Sequence, residues 1–319
     1  MEIFFEVNTM THDHRQELEL RKKRRKRSKL LIKLLCSAFI LLVIITGGII
    51  WALSSGALTT SATSKAPDKI VEIKNLIINI VEKDVRTVKN TATPEQHKTN
   101  GLAICMYHYV YDKDNPPSKL NNNYIEVDAL EEELKYLVEN DYFFPTWEEV
   151  RKYIDGELLL PEKSIVLTFD DGSRNFLELG APLFDKYKIP VTSFLITSKK
   201  GEDKVSKYES DYVTFQSHSH NMHRAGGYIG HGGIFTNLSH DEALADLQES
   251  IKICRNGDAF AYPFGDYSDS CIQAVTDAGF LCAVTTEYGR AYPGDNPLVL
   301  PRVRMTHGQS LSEFISMVE

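Results

Sequence analysis

Ser164-Ile165-Val166-Leu167-Thr168-Phe169-Asp170-Asp171-Gly172 decides how the chain is read. Its first six residues have the length and β-branched content of a buried strand, and they run without a break into two adjacent carboxylates. Successive strand side chains point to opposite faces, so both carboxylates can converge on one place only if the strand ends there. Gly172 permits the turn that such an ending needs. Two neighbouring carboxylates are costly unless a metal ion or a cation neutralises one of them. An Asp-Asp-Gly alone usually marks a solvated turn, so its meaning depends on the rest of the chain.

Working outward, short apolar runs that read as strands recur at 102–107, 191–196, 212–216, 259–262 and 281–285. Helical periodicity separates them at 127–139, 176–187, 241–254 and 270–278, with Val127, Leu130, Leu134, Leu137 and Val138 on one face of the first. Strands alternating with helices predict a parallel sheet, either a barrel or a doubly wound fold. In a barrel of this kind the chemistry sits where strands end.

A second cluster follows another predicted strand. Phe215-Gln216-Ser217-His218-Ser219-His220-Asn221-Met222-His223 places three histidines within six residues. Two imidazoles and one carboxylate with an open position make a hydrolytic metal site. Chance clustering in a surface loop is the bland alternative. It weakens once the cluster is set beside Asp170 and Asp171 at the end of an earlier strand.

The segments Leu167-Thr168-Phe169-Asp170-Asp171-Gly172 and His218-Ser219-x-x-x-His223 resemble the first two motifs of the NodB-type polysaccharide deacetylases, carbohydrate esterase family 4. Ala261-Tyr262-Pro263-Phe264-Gly265 is similar to the third motif. Ile104-Cys105-Met106-Tyr107-His108 and Leu300-Pro301-Arg302-Val303-Arg304 resemble the subgroup acting on poly-N-acetylglucosamine. The resemblance spans 101–319 and implies a distorted or incomplete (β/α) barrel. It implies Asp171, His218 and His223 as ligands of a divalent metal, zinc by preference, and Asp170 as the general base. The backbone N–H of Phe264 would hold the oxyanion, and Ser219 would orient its loop.

The proton donor is less directly given. His108 maps to the subgroup's opening histidine and is preferred, with His307 in Met305-Thr306-His307-Gly308 the alternative. Ala261 stands where many members carry an arginine that pairs with the catalytic aspartate. Arg302 or Arg304 could supply that charge from another strand, and Tyr262 is a further supporting candidate. The motif skips His220. His231 lies in a stretch, 226–233, too glycine-rich to be rigid, read as a lid or a plain surface loop. The implied activity is removal of N-acetyl groups from a cell-envelope polysaccharide, peptidoglycan or poly-N-acetylglucosamine. An O-acetyl esterase on the same site and a catalytically idle, metal-stabilised wall-binding module are the rival readings.

Charge is divided unevenly along the 319 residues. Residues 1–53 carry ten Lys or Arg against five Asp or Glu, and the remainder 26 against 39. The acidic bulk argues against nucleic acid as a partner. The basic excess includes seven successive cations at 21–27, and it precedes twenty uncharged residues at 34–53. That length crosses a hydrocarbon layer of roughly 30 Å as a helix, and the flanking cations predict a cytoplasmic N-terminus. A cleaved signal peptide ending at Ser55-Gly56-Ala57 is the competing reading.

The expected organisation is a basic tail at 1–33, a transmembrane helix at 34–53, a linker or stalk at 54–100 and an extracellular domain at 101–319. An amphipathic helix is expected at 68–90. Of the five cysteines Cys36 lies in the expected span, and the other four form no CxxC pair, which argues against a thiolate zinc site. A Cys254–Cys271 bridge is conceivable. Nothing in the sequence indicates an oligomeric state.

Overall fold

The computed structural model describes residues 97–319, so the expected tail, the span at 34–53 and the amphipathic stretch at 68–90 lie outside the described residues. Among the described residues no helix is long and apolar enough to cross a membrane. The elements run β1 (Ala103–Tyr107), β2 (Tyr109–Tyr111), β3 (Tyr124–Glu126), α1 (Val127–Glu139), α2 (Trp147–Ile154), β4 (Ile165–Phe169), a π turn (Phe176–Gly180), α3 (Ala181–Tyr187), β5 (Val191–Leu195), α4 (Gly201–Lys207) and β6 (Val213–Ser217). A 3₁₀ turn (Ile234–Asn237), α5 (His240–Cys254), β7 (Ala259–Ala261), a second 3₁₀ turn (Pro263–Gly265), α6 (Asp269–Ala278), β8 (Cys282–Tyr288), β9 (Leu300–Arg304) and α7 (Leu311–Val318) complete the domain.

Seven strands close into a barrel in the order β1-β4-β5-β6-β7-β8-β9, with β1 pairing in parallel to both β4 and β9. The barrel alternative is therefore the observed one, with seven strands in place of the usual eight. Its weakest seam is β6–β7, held by the single register pair Ser217↔Phe260. A separate two-stranded parallel sheet, β2–β3, stands beside it.

Side-chain alternation explains the packing. Cys105 and Tyr107 of β1, Leu167 and Phe169 of β4, and Val213 and Phe215 of β6 pack with Leu130 and Leu134 of α1 and Phe184 of α3. The alternate residues Ile104, Val166, Phe194, Ala261, Val284 and Leu300 meet each other and Trp147 of α2 in the barrel interior. Alanines at 259 and 261 suit the narrow bore of a seven-strand hoop. Outside β7 and β8, Phe260 and Tyr262 pack with Phe235, Leu247 and Val275. Phe169 also stacks between Tyr107 at 4.8 Å and Phe176 at 3.9 Å, which fixes the outer face of β4 just before its carboxylates.

The helices and strands that apolar periodicity does not announce have local causes. α2 starts on a capping box, Thr146 with Glu149, and α7 on another, Ser310 with Glu313. β9 contains Pro301, a residue that ordinarily argues against a central strand. At the N-terminal boundary, composition places His97 and Lys98 in the linker, yet both are part of the fold. His97 bridges Pro161, and the Lys98 backbone N–H donates to Leu160 O at 2.9 Å. Cys105, Cys254, Cys271 and Cys282 are free and buried. Cys254 and Cys271 belong to different clusters, so the conceivable bridge does not form.

One buried polar pair stands out behind β1. Glu133 of α1 is 2 % exposed and accepts a hydrogen bond from the Tyr107 hydroxyl at 2.6 Å. Burial pushes its carboxyl from an ordinary 4.5 to about 8, against the opposing effect of the Tyr107 bond. Between these values the unfolded chain releases a proton that the folded chain keeps, so stability falls as pH rises through this window. The slope contributed by this group is about 1.4 kcal/mol per pH unit at most. Chemical denaturation from pH 5 to 8 should therefore show Glu133→Gln gaining on the parent as pH increases. A constant difference across the window would contradict the assignment.

Candidate metal centre and active site

The site residues are continuations of the inward phase of their strands. Ile104 and Met106 lead to His108, Val166 and Thr168 to Asp170, Gln216 to His218, and Leu300 to Arg302. The Asp170 backbone N–H donates to Tyr107 O at 3.0 Å, which carries the β1–β4 ladder one residue past β4. Asp171 would then face outward, but its φ of 70° and the 54° of Gly172 turn the chain back over the barrel mouth. A Cβ at Gly172 would lie 2.2 Å from Leu195 Cδ1, so any larger residue there must displace that side chain as well as take up a left-handed backbone.

The histidine loop is shaped by carboxylate and hydroxyl contacts to its backbone. Asp246 of α5 accepts from the N–H groups of His220 at 2.7 Å and Asn221 at 2.8 Å. Ser219 sits at φ 72°, and its Oγ accepts from the Met222 N–H at 3.1 Å. The loop thereby returns His223 to His218, with ring centroids 4.8 Å apart. Asp171 Oδ1 lies 3.8 Å from His218 Nε2 and 3.5 Å from His223 Nε2. All three donors fall within 4.8 Å of one another.

These residues fit a divalent ion. Donors about 2.1 Å from a tetrahedral zinc are separated by about 3.4 Å, close to the two separations at Asp171. His218 Nδ1 lies 2.7 Å from Ala261 O, and a carbonyl only accepts. The proton is therefore on Nδ1, and the Nε2 lone pair faces Asp171, as a ligand requires. Burial, with a smaller effect from neighbouring His218, pushes the His223 imidazole down to about 4, so this ring is a neutral donor at pH 7.

Asp170 is held differently. Arg302, fully buried, donates from Nη1 to Oδ1 at 2.8 Å and from Nη2 to Oδ2 at 2.7 Å. Its remaining bonds run to Thr168 Oγ1 at 3.1 Å and Thr285 O at 2.8 Å. Burial by itself would raise the Asp170 carboxyl, but the Arg302 guanidinium overrides it and holds the group well below the usual carboxylate range. His108 Nε2 is 4.0 Å from Asp170 Oδ2. Burial lowers the His108 pKa, against the opposing charges of Asp170 and Asp171.

The structure separates the remaining candidates. Arg304 donates to Asn123 Oδ1 and not to Asp170, so Arg302 is the arginine of the two that pairs with that carboxylate. His307 is exposed, with its ring 5.6 Å from Tyr111. Tyr262 belongs to the outer phase of β7, where it packs with Phe235, and it does not face the carboxylates. The His220 ring lies 3.0 Å from Thr197 Oγ1, outside the three-donor group. Phe264 has a φ of 62° in the 3₁₀ turn after β7, and its ring lies 4.3 Å from the His223 ring.

The 226–233 stretch is pinned, contrary to its glycine content. Buried Asp266 accepts from the N–H groups of His231 at 2.8 Å and Gly233 at 2.9 Å. A Cβ at Gly233 would lie 2.9 Å from the Phe264 ring, so close approach accounts for that glycine. Tyr109 is a contact that the motifs did not flag. Its hydroxyl donates to Asp171 Oδ2.

Residues 159–283 match the polysaccharide deacetylase family. A poly-β-1,6-N-acetyl-D-glucosamine N-deacetylase of Staphylococcus aureus is 26 % identical over 223 residues, 65 % of this chain and 74 % of that one. Among solved structures, a Streptococcus pyogenes deacetylase in complex with acetate is similar with a TM-score of 0.60 and 24 % identity. It covers 69 % of this chain and 100 % of that chain. A second, from Ammonifex degensii, has a TM-score of 0.56 and 22 % identity over 69 % of this chain and 98 % of that one. The two structures carry the fold likeness.

Removing one partner of a buried ion pair strands the other, at a cost of about 3–5 kcal/mol. Urea unfolding of Arg302→Met should show a loss of that order, and adding Asp170→Asn should recover part of it. Strictly additive losses would count against the pairing. The family match takes in Asp170, Asp171, both histidine donors and Phe264, while His108, Tyr109 and Arg302 lie beyond it. Over that stretch the chain is similar to the polysaccharide deacetylase family.

Proposed function

We propose that the domain hydrolyses N-acetyl groups from an N-acetylglucosamine polymer of the cell envelope, using a divalent cation, zinc by preference. One observation carries the reading: two adjacent carboxylates have different partners, Asp170 on Arg302 and Asp171 beside His218 and His223. Asp171, His218 and His223 would hold the cation, whose positive charge polarises the amide carbonyl and acidifies water. Asp170, kept ionised by Arg302, has lone pairs left to accept the proton of the attacking water. The Phe264 N–H stabilises the carbonyl oxygen as it gains negative charge. His108, 4.0 Å from Asp170, is in reach to protonate the departing amine.

The Arg302 fork also weighs against an idle wall-binding module, since it restores the charge that Ala261 lacks. The staphylococcal relative is named for poly-β-1,6-N-acetyl-D-glucosamine, and the Tyr107-His108 and 300–304 segments support that class of polymer. Peptidoglycan stays the alternative, supported by the expected single-pass anchor at 34–53. We place the domain outside the cell on that anchor, a reading that rests on sequence alone.

The chain should release acetate from N-acetylglucosamine oligomers or from peptidoglycan. Asp170→Asn should abolish release while zinc content is unchanged. Acetate only from O-acetylated glycans would favour the esterase, and none from any acetylated glycan would overturn the enzyme reading. A second comparison separates the proton donors. His108→Ala should lower kcat by about 10²–10⁴-fold, whereas His307→Ala should stay within a few-fold of the parent. The reverse order would transfer the role to His307.

A further inference from the structure

We propose that Tyr109 is a positioning residue for the cation, holding Asp171 so that a single carboxylate oxygen faces the two histidines. The inference rests on the reading of Asp171, His218 and His223 as the cation's ligands. Its basis is how the carboxylate is divided. Oδ1 is the oxygen 3.8 Å from His218 Nε2 and 3.5 Å from His223 Nε2, while Oδ2 receives the Tyr109 hydroxyl. A carboxylate rotates freely about its Cβ–Cγ bond unless one oxygen is tied. With Oδ2 engaged, Asp171 is presented as a one-oxygen ligand before any ion arrives.

Tyr109 is itself fixed by structure outside the barrel. It opens β2, where it pairs with Tyr124 of β3, and the two rings lie 5.0 Å apart. Its backbone N–H donates to Asn123 O at 3.0 Å. Asn123 Oδ1 accepts from Arg304, two residues beyond the arginine that holds Asp170. The small β2–β3 sheet is thus tied to β9 on one side and delivers a hydroxyl to Asp171 on the other. His108 and Tyr109 reach Asp170 and Asp171 in the same order as they occur in the chain.

Hydrogen-bond partners of metal ligands typically change affinity by about 10–100-fold when removed. The test is a zinc titration of the metal-stripped chain against a chromophoric chelator, for the parent, Tyr109→Phe, Tyr109→Gln and Tyr124→Phe. Tyr109→Phe should raise the zinc Kd by about 10–100-fold while the metal-free chain still unfolds in one cooperative transition. Tyr109→Gln, which lacks the ring but keeps a donor, should bind more tightly than Tyr109→Phe. Tyr124→Phe, with the ring intact, should match the parent. Tyr109→Phe binding zinc as tightly as the parent would overturn this inference alone. No zinc binding by the parent would overturn it together with the metal centre.

Discussion

The Arg302–Asp170 ion pair is the constraint on which the rest of the site depends. Arg302 comes from the last strand and Asp170 from the end of β4, and they meet because β1 lies between β9 and β4 in a closed hoop. Both groups are buried, so the desolvation cost is large and is offset only by extensive hydrogen bonding. Four of the five guanidinium N–H groups are engaged, two on the Asp170 oxygens and one each on Thr168 and Thr285. A carboxylate so engaged is not free to swing to a cation. The next residue can, because a left-handed turn at Asp171 and Gly172 brings it back to the mouth. The division of roles between two neighbouring aspartates follows from that pairing.

Backbone conformation finishes what alternation begins. Asp171, Ser219 and Phe264 all have positive φ without being glycine, and they lie in the segments that follow β4, β6 and β7. Such conformations cost of order 1–3 kcal/mol each and persist where the surroundings enforce them. Asp246 gathers the histidine loop, and Asp266 ties 226–233 against the Phe264 turn. The site is accordingly built from loops held by buried or half-buried carboxylates, on strands held by packing.

Much of this was legible in the sequence, and the exceptions have physical reasons. The strand-to-carboxylate run at 164–172 and the histidine spacing at 218–223 are local, so their meaning survives without coordinates. Arg302 and Arg304 share one strand phase, so the choice between them turns on depth along β9, which the pairing of strands sets and the sequence does not. Tyr262 lies within the segment similar to the third motif yet falls on the outer phase of β7, which only the register shows. The 226–233 stretch read as loose because glycine permits mobility, whereas here glycines allow Asp266 and Phe264 to approach. Tyr109 was invisible because its partner is 62 residues away. The expected membrane helix lies outside the described residues and rests on its hydropathy alone.

The most direct measurement is a crystal structure of the zinc-loaded chain with anomalous data at the zinc edge. The account predicts one strong peak about 2.0–2.2 Å from Asp171 Oδ1, His218 Nε2 and His223 Nε2, with Asp170 still forked on Arg302. A peak that draws in Asp170 and releases Arg302, or one that leaves out either histidine, would contradict it.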